Sequence, residues 1–371
     1  MKIGVFTLPM TSNNYGGILQ AYALTTYLST GTHTAVLMDR RFKTPIKYKL
    51  IVILQQILYP KYLKTLQSFN AAFPEFVNAN IKKTPPLLNY SDSQKYISNN
   101  NFDVLITGSD QVFRTLYSKD IYRDLFLNFD FKGIKLSYAA SFGVDKWEDE
   151  EKSDEVKSYL KDFKEVSVRE ESGLAVCKNK FGIDAVCNID PTMLLEKENY
   201  ISLFKAQDNL KPLPADKYIG VYILDTNSEK DNLIREVSKK LGMAPLQFGL
   251  KPKINRKSFK NYLNAKADSV YDWLNSISNA EYILTDSFHG VAFSIIFKKQ
   301  FVAIGNQKRG LSRFVSILKM FGLENRLVLT ENFSVDNLEN IFKNKIDYNA
   351  VDAILKEEQK KSSLYFSKYI C

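Results

Sequence analysis

The chain has 371 residues, more than a single hydrophobic core usually holds, so we expect two domains. Its hydrophobic share of 45% and charged share of 25% are ordinary for globular proteins and argue against a disordered chain. The formal net charge of +10 favours anionic partners, while the sequence has neither paired Cys/His ligands nor an RNP sequence, which argues against nucleic acid.

The cysteines and the apolar runs bear on the compartment. Three cysteines occur, and no two of them have the close spacing of a zinc or redox site, so we predict no bound metal and a reducing compartment. The amino terminus lacks the apolar core of a signal peptide, and no apolar run approaches the ~20 residues of a spanning helix. We therefore expect a cytoplasmic protein.

The first half of the chain repeats one pattern, an apolar strand that ends at a polar loop. Strands of this kind are predicted at 3–7, 34–39, 102–107, 134–140, 165–168 and 185–189. A helix is predicted at 18–24, directly after the first polar loop. The pattern indicates an open parallel sheet, in which ligands bind beyond the carboxyl ends of the strands.

A polar stretch at 207–217, which contains two prolines, predicts a linker. Beyond it the sequence predicts strands at 218–224, 282–285 and 301–304, helices at 229–241, 273–280 and 290–297, and a final helix at 351–370 that could return to the first domain. We therefore predict an α/β fold with Rossmann-like domains at 1–208 and 209–345 and a C-terminal helix within 346–371.

Two residues suit the binding of an anion. His289, one of only two histidines, lies between a strand and the start of a helix, where the helix N-terminus favours negative charge. The alternative is a structural histidine. Arg169 directly follows a strand, and its planar guanidinium suits a carboxylate or phosphate. The alternative is a surface arginine paired with Glu170 or Glu171.

The loop after the first strand combines glycines, which allow close approach to the backbone, with side chains suited to sugar hydroxyl groups. These residues are Asn14, Tyr15, Gly16, Gly17 and Gln20. They do not form the three spaced glycines of a dinucleotide fingerprint, so nicotinamide and flavin are not expected. Further along, Asp110 is a candidate base toward an acceptor hydroxyl group, or else it caps the following helix together with Ser109.

Six segments, taken in order, resemble the polysaccharide pyruvyl transferase family and together cover nearly the whole chain. They are NYGG (14–17) with LQA (19–21), GSDQVF (108–113), YAASFG (138–143), VREES (168–172), DPT (190–192) and TDSFHG (285–290). The resemblance implies a fold similar to the GT-B glycosyltransferases, with the active site between the two domains. It also implies transfer of pyruvate from phosphoenolpyruvate to a sugar of a cell-surface polysaccharide, or of its lipid-linked precursor, as a cyclic ketal.

The resemblance also implies roles for the candidate residues. The second domain would bind the donor and the first the acceptor, without a cofactor. His289 would act in acid/base chemistry or neutralise the departing phosphate, and Arg169 would bind the donor. We place Ser109 with the substrate-binding residues, and Asp110 with the catalytic ones.

One position departs from the family pattern. Better-studied family members carry an arginine two residues before the histidine, and this chain has Ser287 there, which we also count among the substrate-binding residues. Lys308, Arg309 and Arg313 come just after the strand 301–304 and would close on the same anion, with a solvated basic loop as the alternative. Lys308 or Arg309 would supply the missing charge, or else the donor would differ.

The apolar run 50–58 is flanked by tyrosines and lysines, a composition typical of an interfacial helix beside anionic lipid, where a lipid-linked acceptor is found. A helix packed on the protein's own core is the alternative. The flanking lysines are Lys47, Lys49, Lys61 and Lys64. Two other functions stay open for the whole chain: a glycosyltransferase that uses a nucleotide sugar, and a non-catalytic binding or scaffolding protein that keeps the fold.

Overall fold

The computed structural model of the chain describes residues 1–10, 14–43, 73–249, 268–305, 311–329 and 335–370. Its architecture is α/β, with two main parallel sheets, one in each half of the chain, and helices between the strands.

The first sheet is built from apolar runs of the first half. Its strands are β1 Lys2–Phe6, β2 Thr34–Leu37, β3 Val104–Thr107 and β4 Ile134–Ser137, paired in parallel in the order β2-β1-β3-β4. Two further strands, β5 Val166–Val168 and β6 Ala185–Cys187, pair in parallel with each other. The backbone N–H of Ala140 donates to Ser167 O at 3.0 Å, which places β5 beside β4. Strands β1, β3 and β4 are almost completely buried, as is usual when helices cover both faces of a parallel sheet.

The second sheet has five parallel strands in the order β11-β10-β9-β7-β8. They are β7 Tyr218–Tyr222, β8 Ala244–Gln247, β9 Tyr282–Thr285, β10 Gln300–Gly305 and β11 Leu327–Leu329. Strand β8 is mostly exposed and contains Pro245, which an edge strand tolerates. It lacks an apolar run of the kind from which strands were predicted.

The helices of the first half follow the strands of the first sheet. They are Tyr15–Leu28, residues 73–80, Tyr90–Ser98, Thr115–Ser118, Tyr122–Leu125, Ser153–Lys161, Glu171–Val176 and Lys197–Lys205, with short 3₁₀ turns at Lys119–Ile121, Glu150–Lys152 and Pro191–Met193 and a π-helical turn at Cys177–Phe181. The helices of the second half are Ser228–Leu241, Val270–Asn279, Phe288–Ile296, Leu311–Met320, Val335–Lys343 and Tyr348–Ser367, with a 3₁₀ turn at Glu324–Arg326. The first of these ends at Gly242, whose φ of 63° suits a helix C-terminus.

One hydrophobic cluster joins the two sheets. It includes Leu19 from the first half and both Trp273 and Phe293 from the second. The final helix, Tyr348–Ser367, reaches the first sheet, where the Tyr365 hydroxyl group donates to Ser137 O at 2.6 Å. The two halves therefore pack directly on each other and are not joined by the linker alone.

The predicted strands are confirmed, and five of the nine end one to three residues earlier than predicted. Strands β8 and β11 and the helices Leu311–Met320 and Val335–Lys343 were not predicted. Residues 207–217 contain neither helix nor strand. The apolar run 50–58 with its flanking lysines lies outside the described residues. None of the described helices combines the length and apolar composition needed to cross a bilayer.

Candidate active site

Polar side chains from both sheets meet where the strands end. Ser109 and Asp110 follow β3, Arg169 follows β5, Asp190 comes shortly after β6, and His289 comes shortly after β9 of the second sheet. Each of them is at most 7% exposed. The three residues predicted to be catalytic are therefore buried near one another at the junction of the two halves.

Asp190 is the centre of this group. Its Oδ2 accepts hydrogen bonds from Arg169 Nη1 at 2.8 Å and from Ser109 Oγ at 2.9 Å, while its Oδ1 accepts from Thr192 N at 3.0 Å. His289 Nε2 lies 3.7 Å from the same Oδ2, at ion-pair distance. Burial alone would raise the pKa of Asp190, but the contacts with His289 and Arg169 hold this pKa well below its usual range. Asp190 is therefore negatively charged, and it contacts Arg169 of the first half and His289 of the second.

Arg169 is a buried arginine, so the surface alternative is wrong. Its guanidinium lies over the Phe288 ring, 4.0 Å from the centroid, and its Nε is 3.7 Å from Glu170 Oε2. Glu171 pairs instead with Lys319. The Nε and Nη2 atoms of Arg169 are buried and have no hydrogen-bond partner among the described residues. These two N–H groups therefore make no hydrogen bond within the described ranges, and side by side they have the arrangement that binds an oxyanion.

His289 reaches the first half from the second residue of the helix Phe288–Ile296. It packs so closely on Gly16 that a Cβ atom built there would lie 1.9 Å from His289 Nδ1. Its Nε2 is buried and makes no hydrogen bond within the described part of the chain. Ser287, which precedes the helix, is buried and makes no side-chain cap bond.

Asp110 has a strained backbone and a specific partner. Its φ of 75° is in the left-handed region, which a non-glycine residue rarely adopts. Its Oδ2 accepts from Asn14 Nδ2 at 3.2 Å, and its Oδ1 accepts from Gln111 N at 2.9 Å. The following helix begins at Thr115 with Arg114 at its N-cap, so the helix-capping alternative for Asp110 is wrong. Asn14 instead caps the helix Tyr15–Leu28 by accepting from Gly17 N.

Tyr15 and Gln20 make their hydrogen bonds inside the protein. The Tyr15 ring stacks on Trp273 with 5.6 Å between centroids, and its hydroxyl group donates to Asp268 O at 2.7 Å. Gln20 is fully buried, and its Nε2 donates to Thr7 Oγ1 at 2.8 Å. These contacts stabilise the junction of the two halves. Because Tyr15 and Gln20 are engaged in them, Asn14 and Asp110 are better placed than these two residues to bind a ligand.

A second buried ion pair holds the loop before His289. Asp286 Oδ2 accepts from Lys230 Nζ at 2.6 Å, and its Oδ1 accepts from Leu224 N at 2.7 Å. Lys230 is 2% exposed. The pair thus ties the loop after β7 to the loop after β9, which leads into the helix of His289.

The sequence-based candidates omitted Asp190 from this site, whereas they included Arg313 beside Lys308 and Arg309. Asp190 follows a strand, as Arg169 does, and that shared position was the signal that could have identified it. Arg313 is half-buried on the helix Leu311–Met320, and its buried Nε has no hydrogen-bond partner in the described ranges. Lys308 and Arg309 lie outside the described residues.

The two cysteines that the structure describes, Cys177 and Cys187, offer no reactive thiol here. Burial raises the pKa of Cys177 and of Cys187 to about 12, which keeps both protonated. The described residues contain no cluster of three or more His, Cys, Asp or Glu side chains that could hold a metal ion.

Solved structures with a similar fold bind nucleotides. UDP-GlcNAc 2-epimerase from Neisseria meningitidis bound to UDP-GlcNAc has a TM-score of 0.54 and 12% identity, over 97% of this chain and 100% of that one. MnaA from S. aureus in a structure with UDP has a TM-score of 0.52 and 13% identity, over 100% and 96% of the two chains. At these identities the likeness shows the fold, which is GT-B-like.

A family model described as polysaccharide pyruvyl transferase matches residues 14–308, which include Asp110, Arg169, Asp190 and His289. No curated protein sequence gives a significant match. The match covers most of the chain and agrees with the GT-B-like fold. The chain therefore belongs to the polysaccharide pyruvyl transferase family, a family of transferases that act on polysaccharide.

Proposed function

We propose that the protein transfers pyruvate from phosphoenolpyruvate to a sugar of a cell-surface polysaccharide, or of its lipid-linked precursor, as a cyclic ketal. The observation that carries the proposal is the unsatisfied edge of the buried Arg169 guanidinium beside His289. The Nε and Nη2 atoms on that edge are the pair that binds a carboxylate or phosphate side-on through two parallel hydrogen bonds. Phosphoenolpyruvate carries both of these anionic groups.

The chemistry requires an acid and a base at the same place. The methylene carbon of the donor accepts a proton, one sugar hydroxyl group adds to the neighbouring carbon, and a second hydroxyl group then displaces phosphate. The products are the ketal and inorganic phosphate, with one hydroxyl proton accounted for in the new methyl group and the other on the phosphate. In our proposal His289 supplies the proton, and Asp110 accepts the proton of the acceptor hydroxyl group. No cofactor or metal is needed.

Asp190 and Ser109 support these roles. Asp190 Oδ2 lies 3.7 Å from His289 Nε2 and accepts from Arg169 Nη1 at 2.8 Å, so that the histidine and the anion-binding edge keep a fixed relation. Asn14 holds Asp110 toward the loop that follows β1. In our proposal the acceptor enters beside the first sheet, and the enzyme acts in the cytoplasm, at or near the membrane face where lipid-linked sugars occur.

A nucleotide sugar is the second candidate donor, because similar folds hold UDP-GlcNAc or UDP. The test is incubation with a panel of lipid-linked or nitrophenyl sugars and either phosphoenolpyruvate or UDP-sugars, followed by mass spectrometry. We expect the acceptor to gain the mass of one pyruvic acid less one water, together with equimolar release of phosphate. A gain of one sugar unit would identify a glycosyltransferase, and no transfer from either donor class would favour a binding protein.

Arg169→Lys is the matched variant for this assay. A lysine keeps the charge but cannot make two parallel hydrogen bonds, so the KM for phosphoenolpyruvate should rise while acceptor binding is retained. Equal donor affinity of the variant and the wild type by calorimetry would remove Arg169 from the donor site.

A further inference from the structure

Arg313 belongs to a helix that packs on the Arg169 segment. The backbone N–H of Glu171 donates to Ser316 Oγ at 3.4 Å, which brings the helix Leu311–Met320 onto the turn that follows Arg169. Arg313 lies three residues before Ser316 and is therefore on the same face of the helix, one turn nearer its amino end. Arg313 thus lies on the side of the helix that faces the Arg169 segment.

The charge of Arg313 has no counterion within the part of the chain that the structure describes. Its Nε is buried and unpartnered, and none of the described ion pairs includes it. Burial lowers the pKa of Arg313 and the positive charge of Arg169 lowers it further, while Asp110 and Glu170 act in the opposite direction. These groups are therefore its electrostatic neighbours. A guanidinium with a buried Nε and no carboxylate partner is unfavourable in the free protein and favours the binding of an anion.

The two arginines differ in how much of their charge is already neutralised. Arg169 has Asp190 at 2.8 Å and Glu170 at 3.7 Å, so its positive charge is balanced, although its Nε and Nη2 atoms make no hydrogen bond to the residues that the structure describes. Arg313 has no such carboxylate partner. Arg169 therefore offers directed hydrogen bonds, and Arg313 offers net positive charge.

We propose that Arg169 and Arg313 together form a subsite for a phosphate dianion, with one arginine from each half of the chain. The identification of this phosphate with that of the donor, or with the inorganic phosphate it releases, rests on the proposed function. Arg313 lies beyond residues 14–308, so the family match does not assign it. A phosphate bound by both side chains would bridge the two halves and hold the donor against His289.

The first test is calorimetry of inorganic phosphate with the wild type, Arg313→Ala, Arg313→Lys and Lys319→Ala. Lys319 is the matched control because it is a cation of the same helix and is paired on the surface with Glu171. We expect Arg313→Ala to lose about tenfold or more in phosphate affinity, Arg313→Lys to lose less, and Lys319→Ala to bind like the wild type. Far-UV circular dichroism of each variant establishes that it is folded, and Arg313→Gln replaces the alanine variant if that one is not.

Equal phosphate affinity in a folded Arg313 variant, or no phosphate binding by the wild type, would overturn the subsite. A pyruvyl transfer assay separates this result from the proposed function. If the wild type transfers pyruvate and Arg313→Ala keeps its KM for phosphoenolpyruvate, the subsite is wrong and the function stands. If phosphate binds through Arg313 but no pyruvate is transferred, the subsite stands and the function is wrong.

Discussion

Gly16 and His289 meet across the junction of the two halves, and a larger side chain at position 16 would displace the histidine ring. A Cβ atom there would lie 1.9 Å from His289 Nδ1 and 2.2 Å from its Cγ. We predict that Gly16→Ala lowers kcat by about 10²- to 10⁴-fold, as His289→Ala would, because both remove a positioned general acid. Steady-state kinetics with phosphoenolpyruvate and a sugar acceptor measure the effect.

Gly31→Ala is the control for this prediction. No atom lies within 4 Å of a Cβ at Gly31, but its φ of 63° strains an alanine, so the variant should lose about 1 kcal/mol of stability and keep its turnover. Wild-type turnover in Gly16→Ala would show that the position of the ring does not matter. A large fall in the melting temperature of His289→Ala, rather than in its turnover, would make His289 a structural residue.

Asp190 stabilises the fold as well as the site, and its contribution depends on pH. Because the pKa of Asp190 is lowered in the folded protein, its contribution is present above the unfolded pKa of about 3.9 and is lost as the pH falls toward the lower folded value. We predict that Asp190→Asn lowers the free energy of unfolding by roughly 3 kcal/mol near pH 7, because Arg169 loses its closest counterion. The difference from the wild type should shrink below about pH 4.

Urea denaturation between neutral and acid pH checks this prediction. Asp184→Asn is the matched control, since Asp184 is 90% exposed and pairs with Lys178 at the surface. That variant should stay within about 0.5 kcal/mol of the wild type. A loss for Asp190→Asn that stays constant down to the lowest pH would mean that the charge of Asp190 is not what stabilises the fold.

At the scale of elements, the Lys230–Asp286 pair connects the helix Ser228–Leu241 to the loop that leads to His289. Lys230 Nζ donates both to Asp286 Oδ2 at 2.6 Å and to Asp225 O at 2.8 Å. We predict that Lys230→Met lowers stability by about 3 kcal/mol, because Asp286 is left as an unpaired buried charge. It should also lower kcat more than it changes the KM for the donor, since the start of the His289 helix loses its support.

Lys240→Met, in the same helix, is the control for Lys230→Met. Lys240 is 46% exposed and pairs with Glu339 at the surface, so its removal should change stability by less than about 0.5 kcal/mol and leave turnover unchanged. Equal effects of the two variants on denaturant midpoint and kcat would contradict a specific role for the buried pair.

The sequence predicted most strands from their apolar residues, but it missed β11, which is only three residues long. Strand β3 follows from its run of buried apolar residues, whereas β8 is an exposed edge strand with a proline and gives no such signal. The positions of Arg169 and His289 after strands predicted that they would face a ligand. The pairing of Arg169 with Asp190, and the stacking of Tyr15 on Trp273, depend on how distant segments pack, which local periodicity does not encode.

At the scale of the whole molecule, the site and the core share one junction. The helix Lys197–Lys205 of the first half packs on the second through Tyr200, whose ring lies 4.9 Å from that of Phe293. Tyr15 contacts Trp273 from the loop beside the site, and the final helix returns to the first sheet. Each half also has a hydrophobic cluster of its own, but the largest cluster contains residues of both halves, and the geometry of the site depends on their staying packed.

We therefore predict that the two halves unfold in a single transition. The chain has two tryptophans: Trp147 lies with the first sheet's own aromatic cluster, and Trp273 lies at the junction. In Trp273→Phe, fluorescence reports the first half, and in Trp147→Phe it reports the junction. In each variant the urea midpoint from fluorescence should coincide with its own midpoint from far-UV circular dichroism, because a shared core cannot be exposed on one side alone. If the Trp273 signal instead changed at a lower urea concentration than the circular dichroism of the same variant, the halves would separate before they unfold, and the junction would not act as one core.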